Sequence, residues 1–144
     1  MTSLRPDLGA LLHRLTTAVA DREVPLLHAH GIDMWDYIVL SGLEHGAAPT
    51  QAQLAASVGR DKTRLIQNLD HLEDLSLLRR APDPDDRRNR IVTLTAAGRS
   101  LLTACQHDIR AMEAELLATL TTSDRARFVR SLVTLDDATR GHEL

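Results

Sequence analysis

Arg79-Arg80-Ala81-Pro82-Asp83-Pro84-Asp85-Asp86-Arg87-Arg88-Asn89-Arg90-Ile91-Val92-Thr93-Leu94-Thr95-Ala96-Ala97-Gly98 is the stretch that decides how this chain is read. Pro82 and Pro84 bracket a loop and stop further strand pairing, because proline has no N–H to donate. The paired acids Asp85 and Asp86, with the prolines, mark a turn. On the far side Ile91-Val92-Thr93-Leu94 reads as a short strand. Leu77, Leu78 and Ala81 supply a brief partner strand on the near side, and Thr95 can cap a helix. Two short strands would therefore carry a loop tipped by Arg87, Arg88 and Arg90, which is the shape of a wing.

The segments before the wing read as four helices. Leu8, Leu11, Leu12, Leu15 and Val19 recur at helical spacing on a first helix that starts near Pro6-Asp7. Leu26 and Leu27 carry it past Pro25, where a kink is expected, and Gly31 ends it. Asp33 can N-cap a second helix, with Trp35, Ile38, Val39 and Leu43 inward and Gly46 and Pro49 closing it. Thr50-Gln51-Ala52-Gln53 fits a capping box that opens a short third helix from Gln51 to Ser57, with Leu54, Ala55 and Val58 inward. Gly59 makes the turn. Asp61 caps a fourth helix bearing Leu65, Leu69, Leu72 and Leu75 on one side. Two short helices about a glycine turn form a helix-turn-helix unit.

Everything after Thr95 is helical. Leu101, Leu102, Cys105, Ile109, Met112, Leu116, Leu117 and Leu120 form one stripe. Thr121 and Asp124 look like a capping box for a last helix lined by Phe128, Leu132 and Leu135. These terminal helices carry more apolar surface than a small winged helix needs, so Leu8, Leu11, Leu12, Leu15, Leu116, Leu120, Phe128, Leu132 and Leu135 are expected at a dimer interface. The expected fold is mostly α with a small β-hairpin wing, a winged helix-turn-helix flanked by dimerisation helices.

Charge distribution points to a partner. The 144 residues carry a net charge of −3, which does not advertise nucleic acid. Segments 60–64 and 79–90, however, hold eight Lys/Arg against four Asp, a surplus of +4, so the remainder carries −7. On the fourth helix Lys62, Thr63, Arg64 and Gln67 point away from the leucine stripe, as on a helix whose N-terminal half enters a major groove. A solvated polar face is the plain alternative. Asp86 reads as the orienting partner of Arg88, holding it for a narrow groove, while Arg87 and Arg90 suit phosphates. Wing and helix together favour a duplex. With aromatic residues only 2% of the chain, no stacking platform for single strands is available.

Other chemistries are poorly supported. No nucleophile sits at a strained turn, no glycine loop frames a phosphate and no carboxylate pair defines a cleft, so no enzyme, catalytic residue or cofactor is assigned. Seven histidines invite a metal-responsive reading, but His28 and His30 diverge on a helix and no His-x3-His pair exists, so no metal ligand is assigned. His13, His28, Trp35 and His45 are instead candidates to line a ligand pocket. A single cysteine excludes an intrachain disulfide framework, and with no signal-type or membrane-spanning apolar run it indicates the cytoplasm.

Asp83-Pro84-Asp85-Asp86-Arg87-Arg88 followed by Ile91 to Gly98 resembles the wing and helix start of the MarR family of bacterial transcription regulators. Thr50 to Ala55 and the leucine pattern through Leu77-Leu78-Arg79-Arg80 resemble it as well, so the likeness covers nearly the whole chain in element order. The resemblance implies a homodimer with intertwined terminal helices, each subunit placing a winged helix on half of a palindromic operator. It implies a repressor, released by a small phenolic or lipophilic ligand bound between the two regions. By position it implies Arg88 in the minor groove beside Asp86, and major-groove contacts from Lys62, Thr63, Arg64 and Gln67. With Gln51, Gln53, Asn68, Arg87 and Arg90 these make up the expected DNA-binding set. The chain is then one domain over 1–144, with the winged helix at about 33–98 and dimerisation helices at about 1–32 and 99–144. A metal-responsive regulator of the same fold, or a winged helix that binds protein instead of DNA, are the alternatives. Three departures stand out. Ser76 replaces a usual glycine, Asn68 a usual aliphatic residue, and Cys105 lies mid-helix, where it reads as a buried inert thiol, far from the N-terminal cysteine of oxidation-sensing members.

Overall fold

The computed structural model describes residues 4–46 and 50–141; Pro49, expected to close the second helix, lies outside them. The elements follow in the order α1 (Leu8–Ala29), α2 (Met34–Gly42), α3 (Gln51–Val58), α4 (Lys62–Asp74), β1 (Leu78–Pro82), β2 (Arg90–Leu94), α5 (Ala96–Leu117) and α6 (Thr122–Arg140). They form two compact units that divide within α5, after Ile109.

In the first unit the core is the leucine set of the helix-turn-helix. Leu65, Leu69 and Leu72 of α4 are fully buried, with Val39 and Leu40 of α2, Leu43 just after it, Leu54 of α3 and Val92 of β2. A buried leucine contributes about 1.5–3 kcal/mol relative to an exposed one, so these positions dominate the stability of the unit. Leu75, read as an extension of the stripe, is 44% exposed. The helix ends at Asp74 and the chain turns there, carrying Leu75 off the buried face. On α2 the inward set shifts by a residue: Leu40 is buried, while Trp35 and Ile38 are only half-buried. The reason is the cap. Asp33 accepts from the Asp36 N–H at 2.8 Å and Asp36 accepts from the Asp33 N–H at 3.1 Å, and this reciprocal box turns Asp36 inward.

Thr50 and Asp61 act as N-caps, accepting from the N–H of Gln53 (2.9 Å) and of Arg64 (3.1 Å); of the capping box expected at Thr50 and Gln53, α3 shows this one half, and the full reciprocal box forms at Asp33 and Asp36 instead. α3 ends on Gly59 in the left-handed region, φ 71°. α1 runs unbroken through Pro25 and buries only Leu27 fully. Its stripe residues Leu8, Leu12 and Leu15 are exposed. Along α5, Leu102, Cys105 and Ile109 are buried. Burial raises the Cys105 thiol pKa, with Asp108 adding to the effect. In the second unit α6 is capped by Thr121, which accepts from Asp124, and none of its residues is buried.

Candidate nucleic-acid interface

The wing is an antiparallel pair in which Leu78 faces Leu94 and Pro82 faces Arg90. Its base is tied at three points. At the end of α4 the Ser76 N–H reaches the Glu73 carbonyl and the Leu77 N–H reaches the Leu72 carbonyl, both at 2.9 Å. This is the paired closure that puts the intervening residue in the left-handed region, here Ser76 at φ 61°. Serine makes the corner that glycine usually makes, at a steric penalty of roughly 1 kcal/mol. Next, the Thr95 hydroxyl donates to the Ser76 carbonyl at 2.7 Å and accepts from the Gly98 N–H at 3.0 Å, while the Thr95 N–H reaches the Leu77 carbonyl. One threonine thus caps α5 and stitches it to the end of α4. Gly98 is the third tie: a methyl group there would overlap the Leu77 carbonyl oxygen, so only glycine lets α5 approach this closely.

Arg80 fastens the hinge side. Its Nη2 lies 2.6 Å from Asp70 and 3.2 Å from Glu73, its backbone N–H donates to Glu73 at 2.9 Å, and its Nη1 reaches Gln51 Oε1 at 3.4 Å. Strand β1 is thereby bound to α4 and to the start of α3. The Arg80 hydrogen bonds hold the Glu73 carboxyl below its ordinary range, against a partial burial that pushes the other way. Burial of the Arg80 guanidinium works against its charge, but the bonds to Glu73 and Asp70 outweigh it and raise its pKa. Arg80 was counted in the local surplus of positive charge; paired with two acids it offers none to a ligand. Gln51, in the expected DNA-binding set, is likewise occupied by this clamp.

The tip is built differently. Asp86 accepts from the Arg88 N–H at 3.1 Å and from the Asn89 side chain at 3.2 Å, and Asp83 accepts from the Asp85 N–H at 2.9 Å. The aspartates fold the loop by satisfying its backbone. The Arg88 side chain is 94% exposed and its Nε stands 3.9 Å from Asp86, at the edge of ion-pair range. Asp86 therefore shapes the turn that presents Arg88 more than it pins the guanidinium. Arg79, Arg87 and Arg90 are exposed as well.

On α4, Lys62, Thr63, Arg64 and Gln67 are all exposed, as is Gln53 on α3. Asn68 is not available to DNA. It is buried, and its amide donates to the Asp36 carboxylate at 3.1 Å. Asp36 is itself buried and lies 3.7 Å from His71 of α4. A buried carboxylate needs such donors, and the usual aliphatic residue at position 68 could not provide one. The pair Asp36–Asn68 mounts α4 on the first turn of α2.

The expected pocket residues do not come together as a site. His13 and His28 are exposed on α1, the His45 side chain is 92% exposed, and Trp35 lies under the Arg60 guanidinium. An open groove of about 570 Å³ does exist in the first unit, lined instead by His30, Arg99, Ser100, Thr103, His107 and Asp108, with His30 Nε2 2.6 Å from Asp108. Among the described residues no three His, Cys, Asp or Glu side chains are grouped as metal ligands, and no helix is long and apolar enough to cross a membrane.

These features define a winged helix-turn-helix protein. Residues 30–89 match the family model described as MarR family. The "HTH-type transcriptional repressor Rv2887" of Mycobacterium tuberculosis is 28% identical over 125 residues, covering 87% of this chain and 90% of that protein. The structure of the same mycobacterial protein in complex with DNA superposes with a TM-score of 0.78 at 27% identity, covering 91% of this chain and 98% of that one. The transcriptional repressor CouR bound to a 23-mer DNA duplex gives a TM-score of 0.80 at 25% identity, covering 90% and 92%. CouR from Rhodococcus jostii RHA1 bound to p-coumaroyl-CoA gives 0.75 at 26%, covering 94% and 95%. The chain is thus similar to MarR-family transcription regulators, in sequence over residues 30–89 and in fold over about nine tenths of its length.

Proposed function

We propose that this protein is a homodimeric repressor that places one winged helix on each half of a palindromic DNA operator and is released by a small lipophilic or phenolic ligand. The observation that carries the reading is the exposed arginine tip on a tethered wing: Arg88 is 94% exposed with only a 3.9 Å approach to Asp86, while Arg80, eight residues earlier, is held by two acids. Arg88 would enter the minor groove, Lys62, Thr63, Arg64 and Gln67 the major groove, and Arg87 and Arg90 would hold phosphates. The reading divides the chain into a DNA-binding region at about 33–98 and dimerisation helices on either side. Leu8, Leu12 and Leu15 on α1, and Leu132 and Leu135 on α6, are large apolar side chains left exposed in one chain. A second copy would cover them, along with Leu11, Leu116, Leu120 and Phe128. The DNA complexes of Rv2887 and CouR support the partner, and the acyl-CoA complex of CouR supports an effector. A protein of this kind works in the bacterial cytoplasm and catalyses no reaction.

Sedimentation and footprinting test this. The expected result is a particle of twice the 15.9 kDa chain mass at micromolar concentration and a symmetric footprint on an inverted repeat beside its own gene. A monomer, or the absence of any protected repeat, contradicts the proposal.

A further inference from the structure

Arg60 stands in the turn between α3 and α4, just after Gly59 and just before the Asp61 cap. Its guanidinium carbon lies 4.2 Å from the centroid of the Trp35 ring. The Nε is buried and has no hydrogen-bond partner, and no acid among the described residues pairs with the group. The nearest acid in sequence is engaged, since Asp61 takes the Arg64 N–H at 3.1 Å and its Nε at 3.4 Å. A half-buried guanidinium held on an aromatic face without an acceptor has lost part of its hydration and keeps its full charge. It is stacked, so its fork has little rotational freedom left to lose when an acceptor arrives. The turn it occupies leads into the helix end that carries Lys62 and Arg64, and a helix N-terminus itself favours an anion. The acceptor that suits a planar fork at such a place is a phosphate, which a guanidinium binds through two parallel N–H donors.

We propose that Arg60, preset by Trp35, is a backbone-phosphate contact of the DNA interface, a positioning residue that seats α4 in its groove without reading sequence. This rests on the DNA-binding reading above. It assigns a function to Trp35, the only tryptophan of the chain, that is neither core packing nor ligand binding.

The test measures affinity against salt for a short mixed-sequence duplex, with wild-type protein, Arg60→Gln and Trp35→Leu. Each neutralised phosphate contributes about 0.9 to the log–log salt slope, so Arg60→Gln is expected to make the slope shallower by about that amount and to weaken binding roughly tenfold. Trp35→Leu keeps the charge and loses the platform; it is expected to weaken binding several-fold while retaining the slope. If Arg60→Gln binds with wild-type affinity and slope, the inference is overturned and the DNA-binding reading stands. If wild-type protein shows no salt-dependent binding, both fall. Should Arg60→Gln fail to fold, Arg60→Lys decides: weaker binding with an unchanged slope supports the stacked fork, and unaltered affinity refutes it.

Discussion

The base and the tip of the wing use the same residue types to opposite ends. At the base, Arg80 is paired with Asp70 and Glu73 and its side chain is 17% exposed. At the tip, Arg88 is 94% exposed, and its neighbouring acid Asp86 accepts mainly from backbone and amide N–H groups. Carboxylates at the base hold side chains; carboxylates at the tip hold the loop and leave the side chains free. A wing aimed by a stiff base can carry mobile cations at its end without losing its direction. Those cations can then lose their counterions to a phosphate without first breaking a strong pair.

The sharpest way to break the base is Gly98→Ala. Its methyl group would collide with the Leu77 carbonyl, a backbone atom already bonded to the Thr95 N–H. The variant is expected to lose about 3 kcal/mol or more of stability in urea unfolding, at the upper end for overpacking. Stability close to wild type would show that the base can yield. At the tip Arg88→Ala is expected to leave the unfolding midpoint alone and to lower duplex affinity by about 1–2 kcal/mol, on the scale of one arginine contact. Unaltered affinity in an anisotropy titration would remove Arg88 from the interface.

Smaller effects separate the two ends further. The carboxyl of Glu73 titrates below its ordinary value in the folded chain because Arg80 is bonded to it. Its contribution is therefore complete above the ordinary glutamate range and is lost as pH falls through the lowered value. Glu73→Gln should cost about 1 kcal/mol at neutral pH, as expected of a part-exposed pair, and should flatten the acid limb of the stability curve. An acid limb identical to wild type would mean that the clamp bears no load. Ser76→Gly relieves the left-handed corner and is expected to raise stability by roughly 0.5–1 kcal/mol, part of the relief being offset by the freer unfolded chain. A loss of stability would show that the serine makes a contribution of its own.

The wing and the helix order were legible because they rest on local chemistry. Asp61 and Thr50 announce caps, Pro82 and Pro84 bound a loop, and a leucine every third or fourth residue finds the core. What depends on contacts distant in sequence was hidden. Arg80 and Arg88 are both arginines of one basic run, and only folding brings Asp70 and Glu73 to the first. Asn68 stands in the expected DNA-binding set, and the partner that withdraws it from DNA, Asp36, lies 32 positions away. The need for glycine at position 98 was hidden in the same way, since it is set by the Leu77 carbonyl 21 residues earlier. Pocket residues were the least legible: His13, His28 and His45 were singled out by type, and a histidine on a helix surface carries no sign of what it faces.

The contrast between a held base and a free tip is tested most directly by the salt dependence of duplex binding in three proteins. Wild type is expected to lose affinity steeply as salt rises. Arg88→Ala should show a slope shallower by about one. A folded variant that disrupts the base, Glu73→Gln, should keep the wild-type slope while binding more weakly. A flat response in wild type, or a slope that falls with Glu73→Gln and not with Arg88→Ala, would contradict the account.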